Sequence, residues 1–306
     1  GRQGPAHGLA EDRRLGHVRD MRDLSYKAQA WALRALLAVV AWLPLARRRA
    51  AVARVAEALV RLSPLRRRAE RNLDLVWPQM ARAERDRLVA RIGRSAGRTL
   101  TGIWFNRDLA REAEGLVIEG DGVKVLRAAK AEGRGALIVS GHFGEWEAIR
   151  HVLRREGMET GALYRPNNNP YYEPIFRAGI ELGGMPIVPK GATGMRVMLK
   201  HLRNGGFMAI LADQHLRDGP ALDFLGHPAT TTLSPALLAL RYGVPLVPAF
   251  SPWEEGRRRV VIEAPIPEDT PEAMMAAFNA RLGAWVTRHP SQWHWLHDRW
   301  KRYDDP

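Results

Sequence analysis

From about residue 115 onward, short apolar runs alternate with stretches of helical patterning, and no other feature restricts the fold as tightly. The runs lie at 116–119, 136–140, 160–164, 185–188, 207–211, 246–250 and 258–263, and helix-like segments at 122–131, 145–156, 171–182, 194–204 and 233–242 separate the first six. Such alternation predicts an α/β fold with a mixed, mostly parallel sheet flanked by helices. Ligands of such sheets bind beyond the carboxyl ends of the strands. His142, Arg165, Lys190 and Asp213 each follow such an end, as residues of one shared pocket must.

Upstream the pattern is helical: 51–62, a break at Ser63-Pro64, a basic piece to Leu75, and 81–105 after Pro78. The chain therefore divides into a polar segment at 1–23, a helical, membrane-associating region at 24–107 and an α/β domain at 108–306. Residues 28–46 are rich in Ala, Leu, Val and Trp, but Gln29 and Arg34 interrupt them and Arg47-Arg48-Arg49 follows. The uninterrupted apolar part, 35–46, is twelve residues, short of the roughly 20 that span a bilayer. An interfacial helix with Trp31 and Trp42 at head-group level fits better, and a buried core helix is the plainer alternative. Residues 1–23 lack the apolar stretch of a secretory signal, so the protein is expected on the cytoplasmic side.

The chain holds 47 Lys and Arg against 33 Asp and Glu, a net charge of +14. That excess calls for an acidic partner: anionic lipid, an acidic carrier protein or nucleic acid. No nucleic-acid-binding signature accompanies the charge, so no nucleic-acid partner is expected. The absence of cysteine excludes a disulfide scaffold and cysteine-ligated zinc.

The chemistry concentrates in Gly141-His142-Phe143-Gly144-Glu145-Trp146-Glu147, directly after the apolar run at 136–140. A histidine whose second ring nitrogen donates to a carboxylate has a fixed tautomer and a stabilised imidazolium, which suits deprotonation of an alcohol. Residues five apart on a regular helix diverge by roughly 140°. His142 must therefore precede the helix if Glu147, in its second turn, is to reach the ring. Glu145 competes for that place by spacing, and both glutamates have a plainer reading as solvent-facing residues at a helix start.

The stretch resembles the His-x4-Asp/Glu motif of the lysophospholipid acyltransferase superfamily, in the Gly-His-Phe-Gly-x-Trp-Glu form of the lipid A biosynthesis lauroyl/myristoyl acyltransferase family. Five further blocks resemble that family in the same order: 70–78 (Glu-Arg-Asn-Leu-Asp-Leu-Val-Trp-Pro), 164–170 (Tyr-Arg-Pro-Asn-Asn-Asn-Pro), Asp213-Gln214, 224–232 and 292–301. The resemblance implies a glycerolipid acyltransferase-like fold anchored by its N-terminal helix to the cytoplasmic face of the bacterial inner membrane. It implies His142 as base with Glu147 orienting it, and Arg165, Asn168, Lys190, Asp213 and Gln214 as substrate-binding residues. It further implies an acyl-acyl carrier protein donor, with acyl-coenzyme A as the alternative, an anionic glycolipid or phospholipid acceptor, and no cofactor or metal.

The residues add detail of their own. Arg165 precedes Pro166, which biases its backbone to extended geometry and can hold its guanidinium in one direction. Asp213 can orient a basic residue or a substrate hydroxyl. Gly226 and Thr230 to Thr232 offer donors near a reacting carbonyl, or else cap the helix that follows. His294 and His297 stand at helical spacing, yet their Trp-rich setting argues packing over metal, and the resemblance of their block to the family implies structure or a substrate contact. No Gly-x-Ser-x-Gly elbow occurs and no Cys, so direct transfer without an acyl-enzyme is expected. The other readings are an acyltransferase with a different lipid acceptor, and a non-catalytic basic protein that binds anionic lipid.

Overall fold

The computed structural model describes residues 6–301, with side chains described from residue 21 onward, so part of the polar segment at 1–23 lies outside the described residues. Five helices open the chain: α1 (Ala6–Ala41), α2 (Leu45–Leu62), α3 (Leu65–Val76), α4 (Arg82–Trp104) and α5 (Asn106–Ala113). Pro44 and Pro64 set two of the breaks, since the residue before a proline disfavours helix; Ser63 is extended, with φ −118° and ψ 170°. The expected boundary at 107 falls in the first turn of α5.

Helix α1 runs further toward the N-terminus than the apolar pattern alone indicates. Its covered positions, Tyr26, Ala30, Leu33, Leu37 and Val40, recur at steps of three and four. Leu24, Trp31, Val39 and, just past its end, Trp42 point outward, with Trp42 91% exposed. Among the described residues no helix is long and apolar enough to cross a membrane. Helix α2 is clasped to α4 where a Cβ on Gly93 or Gly97 would lie 2.7 Å from the Cα of Glu57 or Ala53. Only glycine permits that approach, which is why two good helix breakers stand inside α4.

The rest is the alternating domain: β1 (Ile118–Glu119), α6 (Gly122–Ala131), β2 (Ala136–Ser140), α7 (Glu147–Arg155), β3 (Thr160–Tyr164), α8 (Glu173–Glu181), β4 (Ile187–Pro189), α9 (Ala192–Arg203) and β5 (Phe207–Leu211). There follow β6 (Ala221–Phe224), β7 (His227–Thr230), α10 (Ser234–Tyr242), β8 (Leu246–Phe250), β9 (Trp253–Glu254), β10 (Arg257–Arg258), β11 (Val260–Ile262) and α11 (Pro271–Arg288). Seven strands form one sheet in the order β1-β11-β8-β2-β5-β3-β4, with β11 antiparallel to β8 and β4, β3, β5, β2 and β8 mutually parallel. The mixed, mostly parallel sheet is as expected from the alternation.

Every residue of β2 and β8 is buried, as strands covered on both faces should be. The chain moves outward through β3 to β4 and then returns to β5. With right-handed crossovers, that reversal puts α9 on the opposite face from α7 and α8. The packing agrees: Met198 and Leu202 of α9 share a core with α10, α11 and the tryptophans near the C-terminus, whereas Ala148, Val152 and Leu153 of α7 pack with α5 and α6. Segment 221–230, where the alternation gives neither a strand nor a helix, is an antiparallel hairpin turning at Leu225 and Gly226, both with positive φ.

Candidate active site

Strand register brings the site together. Ser140 of β2 pairs with Leu211 of β5, so the residues two beyond each, His142 and Asp213, emerge side by side at the carboxyl edge. Asp213 Oδ1 lies 2.8 Å from His142 Nδ1, and its Oδ2 accepts from the His142 backbone N–H at 2.8 Å. The Trp293 indole donates a further bond to Oδ2 at 2.8 Å. Burial alone would push this carboxyl up, but the His142 charge and these three hydrogen bonds hold it well below the usual carboxylate range. An ionised Asp213 accepts a hydrogen bond from Nδ1–H, which keeps the proton on Nδ1 and leaves the lone pair on Nε2.

That Nε2 faces Gln214, whose Nε2 lies 3.4 Å away, and the ring is one fifth exposed. Trp146 meets the imidazole edge to face at 5.0 Å and His294 lies 5.9 Å away. Burial, with the His142 charge adding to it, lowers the His294 pKa to about 4, so this neighbour stays neutral and does not oppose an imidazolium on His142. His297 accepts the His215 N–H at 3.1 Å. Neither histidine sits on a helix, and among the described residues no cluster of three or more His, Cys, Asp or Glu is arranged to hold a metal ion.

The glycines of the motif have steric reasons. A Cβ on Gly141 would lie 3.0 Å from Asp213 Oδ2 and 2.8 Å from Leu282, so a larger residue would force the carboxylate off the ring. Gly144 has φ +61°, where an L residue is strained, and a Cβ there would collide with the Ser251 carbonyl.

Glu147, expected to orient His142, has a different partner. It opens α7 with its side chain turned one helical step on, where Oε2 accepts from Arg150 at 2.8 Å. Arg150 also donates to the carbonyls of Thr160, Ile180 and Gly184, tying the start of β3 to the end of α8. Burial pushes the Glu147 carboxyl up and Arg150 opposes it. Glu145 points elsewhere, into a buried cluster with Arg258 and, at 3.8 Å, Arg49 of α2. The carboxylate on His142 is thus Asp213, while Glu147 shares the cavity wall.

The same register logic joins the two expected cations. Tyr164 of β3 pairs with Pro189 of β4, so Arg165 and Lys190 follow side by side. Arg165 donates to Asn168 Oδ1 at 3.1 Å. The loop that carries them is held from two sides. Glu173 accepts from Tyr164 and from Asn167, while Asn169 donates to the Tyr26 carbonyl and Tyr171 to Asp23 of α1.

A cavity of about 510 Å³ connects these groups. His142, Gln214, Arg165, Asn168 and Lys190 line its polar side, and Ile138, Ile149, Phe176, Met195 and Ile210 form an apolar interior. Thr232 reaches this wall, but Gly226 sits at the hairpin tip and Thr231 is buried against Arg299. A larger cavity of about 750 Å³ lies near Arg49, Trp253 and Arg258. No histidine lines it, and Arg49 and Arg258 there are already ion-paired with Glu112 and Glu145. The His142 ring opens onto the smaller cavity. The sequence does not mark Trp146, Trp293 or His294 as neighbours of His142; of the three, only Trp146 stands near it in the chain.

Residues 17–302 match the family described as bacterial lipid A biosynthesis acyltransferase. A lipid A biosynthesis lauroyltransferase of Escherichia coli strain K12 is 29% identical over 257 residues, covering 78% of this chain and 80% of the relative. A lipid A biosynthesis palmitoleoyltransferase of the same strain is 27% identical, covering 76% and 78%. A phosphatidylinositol mannoside acyltransferase of Mycobacterium tuberculosis is 28% identical over 64% of this chain, and the match spans 63% of that relative's length.

Proposed function

The chain belongs to the bacterial lipid A biosynthesis acyltransferase family, and from that premise we propose that it transfers a fatty acyl group from a thioester donor to a hydroxyl of a lipid A precursor. The observation that carries this reading is the His142–Asp213 pair, open at Nε2 onto a cavity with an apolar interior and a cationic rim. A protein that only binds anionic lipid has no need of such a pair.

In the proposed reaction His142 Nε2 takes the proton of the acceptor hydroxyl while that oxygen attacks the thioester carbonyl carbon. Asp213 holds the tautomer and stabilises the imidazolium. The carbonyl oxygen becomes an oxyanion, for which the Gln214 amide is the donor nearest the base. Collapse forms the ester, breaks the carbon–sulfur bond and returns the His142 proton to the departing thiolate. Arg165, positioned by Asn168, and Lys190 take the anionic group of the acceptor, and the apolar interior takes the acyl chain. The donor is an acyl-acyl carrier protein, and the outward face of α1 with Trp31 and Trp42 rests on the cytoplasmic surface of the inner membrane.

The test is mass spectrometry of purified protein with acyl-acyl carrier protein and lipid A precursor, beside His142→Ala and Asp213→Asn. A product heavier by one acyl chain, absent with both variants, supports the reading. Because one similar protein is named for phosphatidylinositol mannoside, that lipid is the second acceptor to supply. Surviving thioester with both acceptors unchanged would sink the proposal.

A further inference from the structure

Resting on that reading of the donor, we propose that the outer face of α9 is the docking surface for the acidic carrier protein that delivers the acyl thioester. Arg196, Lys200 and Arg203 are exposed and fall at i, i+4 and i+7, which places them in one stripe. Among the described residues, no ion pair joins any of the three to a carboxylate. Glu159, the acid that acts on the adjacent His201, is 4.0 Å from Arg154. Arg203 and Arg241 of α10 both lie over the Tyr242 ring, at 5.3 and 5.8 Å, so the stripe continues across to the neighbouring helix.

This basic face is continuous with the candidate site. Lys190 and Gly191, just before α9, stand on the cavity rim, and Met195 and Met198 on its inner side line the cavity wall. A carrier seated on the stripe has a short path for its thioester arm along the N-terminal end of α9 to His142.

Composition separates this surface from one that meets lipid. Helix α9 exposes a single large apolar side chain, Val197 at 45%, within the cationic stripe, and no aromatic residue. The outward tryptophans are on and next to α1, which is tied to the loop after β3 through Tyr171 and Asn169. Helix α9 lies across the sheet from α8, the helix which that loop enters, so lipid and carrier can approach from different sides. Complementary charge at a rim chiefly steers association and selects the partner.

The experiment compares the full chain with Arg196→Glu/Lys200→Glu/Arg203→Glu on two donors, an acyl-carrier protein and the matching acyl-pantetheine, which has the same thioester and no protein. The expected result is a KM for the carrier donor raised about tenfold or more, with kcat/KM for acyl-pantetheine unchanged. The pantetheine rate shows that the variant is folded. A reversal of equal charge on α4, Arg82→Glu/Arg87→Glu/Arg91→Glu, should leave the carrier KM at the wild-type value. An unchanged carrier KM in the α9 variant, an equal loss with both donors, or weakened binding to anionic vesicles in its place would overturn the docking surface alone. Wild-type protein that acylates no acceptor from either donor would overturn the functional reading, and this inference with it.

Discussion

His142 and Asp213 stand 71 residues apart in sequence, yet Nδ1 and Oδ1 lie 2.8 Å from each other because their strands run parallel in register. Asp213→Asn keeps the shape but removes the charge that stabilises the imidazolium. We expect kcat to fall by about 10² to 10⁴ while the KM values change little, measured by steady-state transfer from a thioester donor. Wild-type turnover in this variant would remove Asp213 from the mechanism.

Glu147→Gln tests the other carboxylate of the cavity. Its loss leaves the buried Arg150 guanidinium without a counter-charge, which should cost about 3 kcal/mol of stability in urea unfolding. Turnover below the unfolding midpoint should drop less than in Asp213→Asn. If kcat collapses while stability holds, Glu147 acts on the base after all.

Gly141→Ala adds only a methyl, but at 3.0 Å from Asp213 Oδ2 and 2.8 Å from Leu282. A displacement of about 1 Å at a catalytic pair can cost 10²-fold, and we expect a loss of about that size in kcat. Far-ultraviolet circular dichroism should stay at the wild-type spectrum; a fully active alanine variant would show that the close approach is dispensable.

Stability should also fall on acidification. Burial is the largest cause lowering His151, His294 and His297 to about 4, below the ordinary value near 6.5. Between those values the unfolded chain binds protons that the folded chain refuses, so stability is full above about pH 6.5 and declines toward pH 4, by up to ~1.4 kcal/mol per pH unit for each histidine. Asp213 has the depressed pKa of a paired acid, and its contribution is lost only at still lower pH. Urea midpoints across this range check the slope; a flat profile would mean that these imidazoles protonate without unfolding.

Much of this architecture is legible in the sequence, and the reasons for the failures are physical. The strands 136–140, 160–164, 207–211 and 246–250 match the structure end to end, and two of them, 136–140 and 246–250, are covered on both faces, the setting that favours near-continuous apolar runs. The hairpin of β6 and β7 escaped because Asp223 and Pro228 break the apolar alternation and Leu225 stands in its turn at φ 56°. Asp213 could be named as a residue that orients a base, but the base it orients depends on which strands are neighbours. Glu147, five residues from His142, is the partner that the resemblance implies, and local periodicity cannot correct it because it carries no information about β2 lying against β5.

The candidate site draws its chemical groups from the ends of four strands, each followed by its own connection. Lengthening a crossover helix or trimming a distal turn would leave these groups where they are, whereas a slip of one residue in the β2–β5 or the β3–β4 register would separate the pair that follows it. Variation among descendants of this chain should therefore accumulate as insertions and deletions in the connections. The phase of the strands is the inheritance that must be copied without change.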